Sequence, residues 1–334
     1  MEEKKTKTDV KSKPKDEKQK LFTLSSSPHL ARPDNVRTIM KNVNMALLPA
    51  IVFGVYYFGF RSLLMILTAV ISCVVTEIIL NKLQNKKFQE GSAIVTGILL
   101  AMTLPPTLSL GFVVMGSVFA IAIGKQIFGG LGYNIFNPAL LGRAFLQASF
   151  PVRMTTWENP KTFVDAKTMA TPSGGFKFGD AVIKESEHYF DLLIGNTGGC
   201  IGETCALAII AGGIFLLIKK YADWRIPVSY LGAVAVFGAI FWLINPEQYP
   251  DPIYHLLSGG LMLGAFFMAT DMVTSPITPR GSWIFGIGAG FLLVIIRLFG
   301  GLPEGVMYSI LLMNAFTPLI NRYTRPKFFG EVKS

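Results

Sequence analysis

The sequence predicts an all-α polytopic membrane protein with about ten transmembrane helices, arranged as an inverted repeat of five plus five spans with broken helices. Three observations lead to this prediction: the composition is apolar, apolar stretches recur along the chain, and two short motifs each occur twice at one spacing. Of the 334 residues, 51% are hydrophobic and only 16% are charged, and the mean hydropathy is +0.47. A soluble domain does not need that much apolar surface, so we interpret the apolar stretches as membrane spans.

The N-terminal segment Met1–Lys20 is rich in lysine and contains no apolar run. Such a segment cannot bury enough apolar surface to fold by itself, and no apolar region follows at the distance that a signal peptide requires. We therefore expect residues 1–41 to form a cytoplasmic basic tail and entry segment. Much of the formal net charge of +10 lies in this tail and in short loops. Basic residues in such places orient membrane helices, so we expect no nucleic-acid partner.

Apolar stretches of membrane length follow the tail at regular intervals. The first five lie in residues 42–150 and the last five in residues 194–321, with a polar interval at 151–193 and a C-terminal tail at 322–334. Several are shorter than the roughly 20 residues that a bilayer core requires. The stretches are Val43–Phe60, Leu63–Leu80, Ala93–Leu110, Phe112–Ile127, Ile135–Phe150, Ile194–Ile218, Ile226–Ile244, Leu256–Thr270, Ile284–Leu298 and Val306–Ile320.

The charges between the stretches predict the direction of the spans. If the tail is cytoplasmic, the loops containing Lys82–Lys87, Lys219–Arg225 and Arg322–Lys327 all fall on the cytoplasmic side, whereas Glu247 and Asp251 fall outside. This distribution follows the rule that basic residues favour cytoplasmic loops. We therefore expect a multi-pass protein of a bacterial or archaeal cytoplasmic membrane, in contact with membrane lipid. Both termini are then cytoplasmic, and the 151–193 loop is extracytoplasmic.

Two pairs of matching motifs indicate an internal repeat. Thr103–Thr107 (TLPPT) matches Thr274–Thr278 (TSPIT), and Ile127–Leu131 (IFGGL) matches Leu298–Leu302 (LFGGL), both at an offset of 171 residues. Two matches at one offset are hard to ascribe to chance. Because five spans separate the copies, the second copy enters the membrane in the opposite orientation, as in many transporters. The Pro and Gly residues of these spans then mark helix breaks, with simple kinks as the alternative.

The cysteines and cofactor-binding motifs limit the chemistry of the chain. None of the three cysteines, Cys73, Cys200 and Cys205, lies in a CxxC or CxxCH motif. We therefore expect no zinc site, c-type haem or four-cysteine iron–sulfur cluster from this chain alone, although a cysteine pair shared with another subunit stays open. The sequence contains no Walker A motif and no Ser/His/Asp set. Any redox chemistry must therefore come from bound cofactors.

One segment of the polar loop carries a hydroxyl suited to modification. Phe163–Gly175 reads FVDAKTMATPSGG, in which Asp165, Thr168, Ala170 and Thr171 spell D-x-x-T-x-A-T. The small residues around the last threonine leave room for a bulky group to approach its hydroxyl. A Thr-rich turn with an Asp that caps a helix is the alternative interpretation.

This segment resembles the flavinylation motif of the RnfD/NqrB family, the membrane subunits of the Rnf and sodium-pumping NADH:quinone reductase complexes. Met169 stands where glycine is commoner in that family. The resemblance implies that Thr171 carries FMN through a phosphoester, attached by a flavin transferase outside the cytoplasm. Asp165, Thr168 and Ala170 are then the other residues of the motif.

A second motif resembles the family's N-x-F-N-P-A-x-x-G-R-A stretch. It is Gly132–Arg143, which reads GYNIFNPALLGR. The resemblance implies that Asn137 and Arg143 contact a flavin, since they offer an amide and a cation to its ring or phosphate. A loop-to-helix entry in which the asparagine caps the helix is the alternative.

A third motif, Gly195–Cys205 (GNTGGCIGETC), is close to the family's G-x-x-G-E-T-S, with Cys205 in the place of serine. Its glycines allow close backbone approach to a planar ligand. Gly202, Glu203 and Thr204 are therefore predicted flavin contacts, and an ionisable residue at the mouth of a span is functional by default. A structural role, in which the glutamate accepts backbone hydrogen bonds at a helix start, is the alternative.

A fourth motif, Met268–Gly281 (MATDMVTSPITPRG), matches the family's F-M-A-T-D-x-x-x-S/T-P. Asp271, with Thr270 and Thr274, makes an oxygen-rich group that can accept Na⁺ or a proton. Pairing of this aspartate with Arg280 is the alternative. No firm metal site is expected elsewhere.

The four motifs occur in the family's order, and the resemblance covers nearly all of the chain after the tail. It implies a subunit of a six-subunit complex that passes electrons between ferredoxin and NAD⁺ while it moves Na⁺ or H⁺. This chain alone then holds no complete catalytic site. The implied partners are RnfA, RnfB, RnfC, RnfE and RnfG, and the implied second, non-covalent flavin is riboflavin. The alternatives are an NqrB-type subunit of a Na⁺-translocating NADH:quinone reductase and a non-redox permease or channel with the same inverted repeat.

Overall fold

The computed structural model describes residues 35–86, 91–158, 168–169, 189–195, 198–203, 205–246, 248–301 and 304–326. The chain divides into two units, Met1–Asn35 and Val36–Ser334, and every element given below lies in the second. Most of the described residues are helical, which agrees with the predicted fold class. The helices are α1 (Val36–Leu83), α2 (Ser92–Met102), α3 (Leu110–Ile121), α4 (Pro138–Ser149), α5 (Pro151–Met154), α6 (Tyr189–Ile194), α7 (Ala206–Ile218), α8 (Arg225–Ile244), α9 (Pro252–Leu257), α10 (Leu261–Leu263), α11 (Pro279–Phe299) and α12 (Val306–Tyr323).

Short irregular elements interrupt or extend these helices. A π-helical turn, Ala122–Gln126, continues α3, and a second one, Gly264–Met268, follows α10. A 3-10 turn, Ile201–Glu203, precedes α7. In the polar interval, β1 (Trp157–Glu158) pairs antiparallel with β2 (Thr168–Met169).

Three helices of the described residues, α1, α8 and α11, are long and apolar enough to cross a membrane. α1 is 48 residues long and leaves the helical conformation at Gly59, where φ is 71° and ψ is −162°. Glycine adopts a positive φ without the steric cost that a Cβ brings. α1 therefore consists of two apolar helical segments, in agreement with the separate predicted stretches Val43–Phe60 and Leu63–Leu80. Ser92–Met102, Leu110–Gln126 and Ala206–Ile218 are shorter apolar helices.

Two predicted spans in the second half of the chain are not continuous helices. The predicted span Ile194–Ile218 is a broken helix, because the stretch contains the end of α6, the 3-10 turn and α7. Four glycines occur between residues 195 and 202, and each makes a helix less stable than alanine would by about 1 kcal/mol. Leu256–Thr270 is also interrupted, since α9 ends at Leu257 and the chain becomes helical again only at Leu261. Gly259, in this break, has a φ of 69°.

Two loops lie beside the start of α1. Asn42 Nδ2 donates a hydrogen bond to the Tyr221 hydroxyl at 3.2 Å, and a Cβ at Gly91 would lie 2.9 Å from Met40 Cβ. The loop after α1 and the loop after α7 therefore lie at the same end of the helices. These are two of the basic loops that the charge pattern places together.

Close helix packing holds the second half of the chain together. At Gly290 of α11, a Cβ would lie 2.6 Å from Ala233 Cβ and 2.8 Å from the Tyr230 carbonyl oxygen of α8. Small residues allow helix backbones to approach this closely in membranes. Tyr230 is buried, and its hydroxyl shares a hydrogen bond of 2.8 Å with the Ser309 hydroxyl of α12. α8, α11 and α12 thus form one packed group.

Candidate functional site

Two polar sites lie among the broken helices, and the first is built around Arg143 of α4. The guanidinium forms an ion pair with Glu304, which lies just before α12. Its Nη1 also donates to Cys200 Sγ at 3.4 Å, and the Cys200 backbone N–H donates to Glu203 Oε2 at 3.1 Å. The alternative in which Glu203 accepts a backbone hydrogen bond near a helix start is therefore confirmed.

This cluster has the side chains of a metal site, but the Arg143 guanidinium already pairs with them. The ligand atoms of Cys200, Glu203 and Glu304 lie within 4.8 Å of one another. The Arg143 guanidinium bonds to two of these three side chains, so it already supplies positive charge where a metal ion would. Buried charges are tolerated in a membrane protein when they are paired in this way. The cluster therefore ties α4 to the segments that precede α7 and α12.

At Gly202 the backbone closely approaches other parts of the protein, and its predicted contact with a flavin stays a prediction. A Cβ at this position would lie 2.8 Å from Met102 Cβ and 2.9 Å from Leu263 Cδ2. The 3-10 turn therefore packs tightly between the end of α2 and α10. Thr204, another residue of this motif, lies outside the described residues.

The second site is a cleft whose walls come from both halves of the chain. Its cavity volume is about 80 Å³. Its apolar lining includes Met40, Val43, Leu99, Leu131, Leu216 and Phe267, and its polar lining includes Ser92, Lys125, Asn134, Asn137, Thr270 and Asp271. The second and fourth motifs thus meet in one place, which their separation in sequence does not reveal.

Asn137 and Asn134 have different roles in the cleft. Asn137 Oδ1 accepts from the backbone N–H groups of Ala139 and Leu140 at 3.0 and 3.4 Å, so the predicted alternative of a helix cap is confirmed. Its Nδ2 donates to the Met268 carbonyl oxygen at 3.2 Å, so both ends of this amide are used. Asn134 Oδ1, by contrast, is buried and accepts no hydrogen bond from the described residues.

Asp271 lies in the wall of the cleft and is held as an acceptor. Thr274 Oγ1 donates to its Oδ2 at 3.1 Å, and the backbone N–H groups of Val273 and Thr274 donate to the same carboxylate. Within the part of the chain that the structure describes, Asp271 forms no ion pair. The predicted alternative of a pair with Arg280 is therefore wrong.

A buried ion pair that belongs to none of the four motifs lies beside the cleft. Lys125 Nζ donates to Glu77 Oε1 at 2.6 Å and to Ser92 Oγ at 2.9 Å. The side chains of Lys125 and Glu77 are only 1% and 2% exposed. The motifs did not predict this pair, although a signal was present in the sequence, since each is an ionisable residue within an apolar stretch.

The predicted flavinylation motif lies mostly outside the described residues. Asp165, Ala170 and Thr171 are among the residues that the structure does not describe, and Thr168 is described only as part of β2. Their role stays a prediction.

Comparison with known proteins identifies the family. A sequence model of a protein family, described as "NQR2, RnfD, RnfE family", matches residues 23–330 of this chain. The chain belongs to the NQR2, RnfD, RnfE family. A member from Clostridium ljungdahlii, named as a subunit of a proton-translocating ferredoxin:NAD(+) oxidoreductase complex, is 48% identical over 322 residues, which cover 94% of this chain and 97% of that protein.

Two further relatives carry related names. A subunit of the Na(+)-translocating ferredoxin:NAD(+) oxidoreductase complex of Acetobacterium woodii is 48% identical over 317 residues, which cover 93% of this chain and 96% of that protein. A subunit of the ion-translocating oxidoreductase complex of Cronobacter sakazakii is 37% identical over 348 residues, with 93% and 99% covered. The first two relatives are equally similar to this NQR2, RnfD, RnfE family member, yet their names give different ions. Overall identity therefore does not assign the ion.

Proposed function

We propose that this chain is the membrane electron-transfer subunit of a redox-driven ion pump of the Rnf type. Such a pump passes electrons between ferredoxin and NAD⁺ and moves Na⁺ or H⁺ across the membrane. In this proposal Thr171 carries covalently bound FMN, and the chain passes electrons between the other Rnf subunits. Flavin supplies the one- and two-electron chemistry that amino-acid side chains lack.

The observation that carries the proposal is the D-x-x-T-x-A-T segment ending at Thr171, in a chain that matches the family over residues 23–330. The two relatives named as subunits of ferredoxin:NAD(+) oxidoreductase complexes are matched over 97% and 96% of their length. That coverage supports the same role for this chain. It favours the ferredoxin-linked complex over the alternatives of a quinone reductase and a permease.

We further propose that the cleft holds the second, non-covalent flavin, riboflavin. A pocket with mainly apolar walls and a few fixed polar groups is the usual form of a cofactor site. Leu99 and Phe267 offer apolar surface to a flat ring, and Asn134 Oδ1 is a buried acceptor that lacks a donor among the described residues. This oxygen suits the imide N–H of an isoalloxazine ring. Asn137 supports the site indirectly, because it fixes the start of α4.

The proposed architecture is ten spans in an inverted repeat, with the 151–193 loop outside the cytoplasm. In the first copy, the Thr107 hydroxyl donates to the Thr156 carbonyl oxygen in the polar interval at 3.0 Å. In the second copy, the Ile277 backbone N–H donates at 3.0 Å to Asn321 Oδ1, beside the basic C-terminal loop. The first copy thus contacts the polar interval and the second copy contacts the C-terminal end of α12, two places that the charge pattern assigns to opposite sides. This supports their opposite orientation.

The proposal is tested by in-gel flavin fluorescence of the denatured chain, isolated from a host that contains the flavin transferase. We expect a fluorescent band for the wild-type chain and none for Thr171→Ala, because the phosphoester forms on the threonine oxygen. Ser173→Ala removes a hydroxyl from the same segment and should leave the band unchanged. A band of full intensity in Thr171→Ala would show that another residue carries the flavin. No band in the wild-type chain would favour a permease.

A further inference from the structure

A cavity at one end of the helices lies between two arginines. Its volume is about 260 Å³, which is room for several water-sized groups at roughly 30 Å³ each. Arg61 lines it from the turn between the two segments of α1, and Arg153 lines it from α5. Thr107, Ser109 and Thr156 complete its polar lining. No carboxylate of the described residues is part of this lining.

Hydrogen bonds tie the three segments around the cavity together. Arg61 Nη2 donates to the Thr107 carbonyl oxygen at 2.7 Å, and the Thr107 hydroxyl donates to the Thr156 carbonyl oxygen at 3.0 Å. Within the described part of the chain, the other Arg61 nitrogens and the whole Arg153 guanidinium donate no hydrogen bond and form no ion pair. Two guanidinium groups therefore have N–H donors left for a ligand, and a phosphate group matches their geometry.

Both arginines lie at positions where the charge pattern disfavours a basic residue. Arg61 lies between the predicted spans Val43–Phe60 and Leu63–Leu80. Arg153 follows the predicted span Ile135–Phe150. The proposed ten-span architecture makes both positions extracytoplasmic, whereas basic residues favour the cytoplasmic side. A negatively charged ligand between the two arginines would supply their missing counter-charge.

Exposed apolar side chains lie next to the cavity residues in each of the three segments. Phe60 and Val152, each directly before one of the arginines, are 70% and 76% exposed. Leu110, directly after Ser109, is 41% exposed. Apolar side chains exposed together mark a surface that contacts a partner or a membrane. Beside membrane-length helices, the cavity therefore lies where the apolar and polar parts of a bilayer meet.

We propose that this cavity binds the headgroup of an anionic phospholipid, with the phosphate between Arg61 and Arg153 and the acyl chains along the exposed apolar side chains. Leu108 and Phe112, which also line the cavity, offer apolar surface to the glycerol end of the chains. An anionic headgroup suits a cavity with two cations and no described carboxylate. Phosphatidylcholine suits it less, because its quaternary ammonium is repelled by the arginines. Binding forms no covalent bond.

This inference goes beyond the proposed function, and only the side of the membrane rests on the proposed architecture. The test uses the full chain in a neutral detergent, unfolded by heat at constant total lipid. Phosphatidylglycerol replaces phosphatidylcholine of the same acyl chains in steps. We expect the unfolding midpoint to rise saturably with the phosphatidylglycerol fraction, because a ligand that binds the folded state stabilises it. Inorganic phosphate and glycerol 1-phosphate, which lack acyl chains, should not raise it.

The variants locate the response at the cavity. Arg153→Gln removes a guanidinium that bonds to no described residue, so the fold should be kept. It should raise the half-saturating phosphatidylglycerol fraction roughly fivefold, the effect of one basic residue at an anionic lipid surface. Arg153→Lys should lose less, since lysine keeps the charge. Lys219→Gln is the matched control. It removes an exposed basic residue at the end of α7, far from the cavity lining, and should leave the response unchanged.

Three results would overturn the inference. Phosphatidylglycerol and phosphatidylcholine could give the same midpoint, which would show that the protein has no anionic lipid site. Arg153→Gln and Lys219→Gln could weaken the response equally, which would show diffuse attraction of lipid to basic residues. Inorganic phosphate or glycerol 1-phosphate could raise the midpoint as much as the lipid does, which would assign the cavity to a soluble phosphate compound.

The same samples are read for covalent flavin fluorescence, so that the two proposals can fail separately. A missing flavin band beside an intact lipid response would overturn the proposed function and leave the lipid site standing.

Discussion

Arg143 is a charged residue that is buried in the apolar interior and paired there. Its partner Glu304 is 161 residues away in sequence, and Glu203 lies beside them in the same cluster. Replacing a buried ion pair as a whole is often tolerated, whereas removing one partner leaves an uncompensated charge at a cost of roughly 3–5 kcal/mol. Arg143, the arginine of the second motif, therefore depends on partners that are distant in sequence for its charge to stay compensated.

Asn134 is the residue on which the second flavin site is most directly tested. Asn134→Leu removes the buried acceptor of the cleft, so we expect the affinity for riboflavin to fall roughly tenfold, the cost of one unpaired N–H. Acid precipitation separates the two flavins: riboflavin stays in the supernatant, and covalent FMN stays with the protein. Asn245→Leu, at the end of α8 and outside the cleft lining, should keep both. Unchanged riboflavin content in Asn134→Leu would place that flavin elsewhere.

Local chemistry allowed some residue roles to be predicted, and long-range packing hid others. The cap formed by Asn137 follows from an Asn-Pro step before an apolar run. The partners of Lys125 and Glu304 could not be inferred, because they come from segments 48 and 161 residues away. The predicted pairing of Asp271 with Arg280 failed for a different reason. A threonine and two backbone N–H groups satisfy that carboxylate locally.

At the scale of single elements, the 3-10 turn before α7 depends on Gly202. A Cβ there would lie 2.8 Å from Met102 Cβ and 2.9 Å from the Met102 carbonyl oxygen. Gly202→Ala is therefore expected to destabilise the chain by about 1–3 kcal/mol through overpacking, measured as a lower unfolding midpoint in detergent.

A glycine with open space around it provides the control. Apart from its two chain neighbours and the backbone of its own helix, Gly232 of α8 has no atom within 4 Å of the position that a Cβ would take. Gly232→Ala should keep or raise the midpoint, since alanine favours a helix over glycine by roughly 0.5–1 kcal/mol. Equal midpoints for Gly202→Ala and Gly232→Ala would contradict the packing role of the turn.

The apolar stretches located most helices but not their breaks. Hydropathy does not distinguish a continuous span from two short helices joined by glycines, as in Ile194–Ile218. The breaks depend on backbone conformation at Gly59 and Gly259 and on what packs beside the turns. The π-helical turns carry no sequence signature of this kind.

At the scale of the whole molecule, the proposed inverted repeat predicts on which side each loop lies. Lys86→Cys and Gln248→Cys introduce thiols at exposed positions. We expect a membrane-impermeant maleimide to label Gln248→Cys in intact cells and Lys86→Cys only after permeabilisation, because basic loops favour the cytoplasmic side. The three native cysteines are buried, so the unsubstituted chain is the background control. Labelling of both positions from the outside would contradict ten spans.

The central claim is that this member of the NQR2, RnfD, RnfE family carries a flavin nucleotide on one hydroxyl of its polar loop. Intact-mass spectrometry of the full chain, isolated from a host with the flavin transferase, tests it most directly. We expect the polypeptide mass plus one FMN less one water, with the addition located at Thr171 by peptide fragmentation. A polypeptide without any addition would contradict the claim.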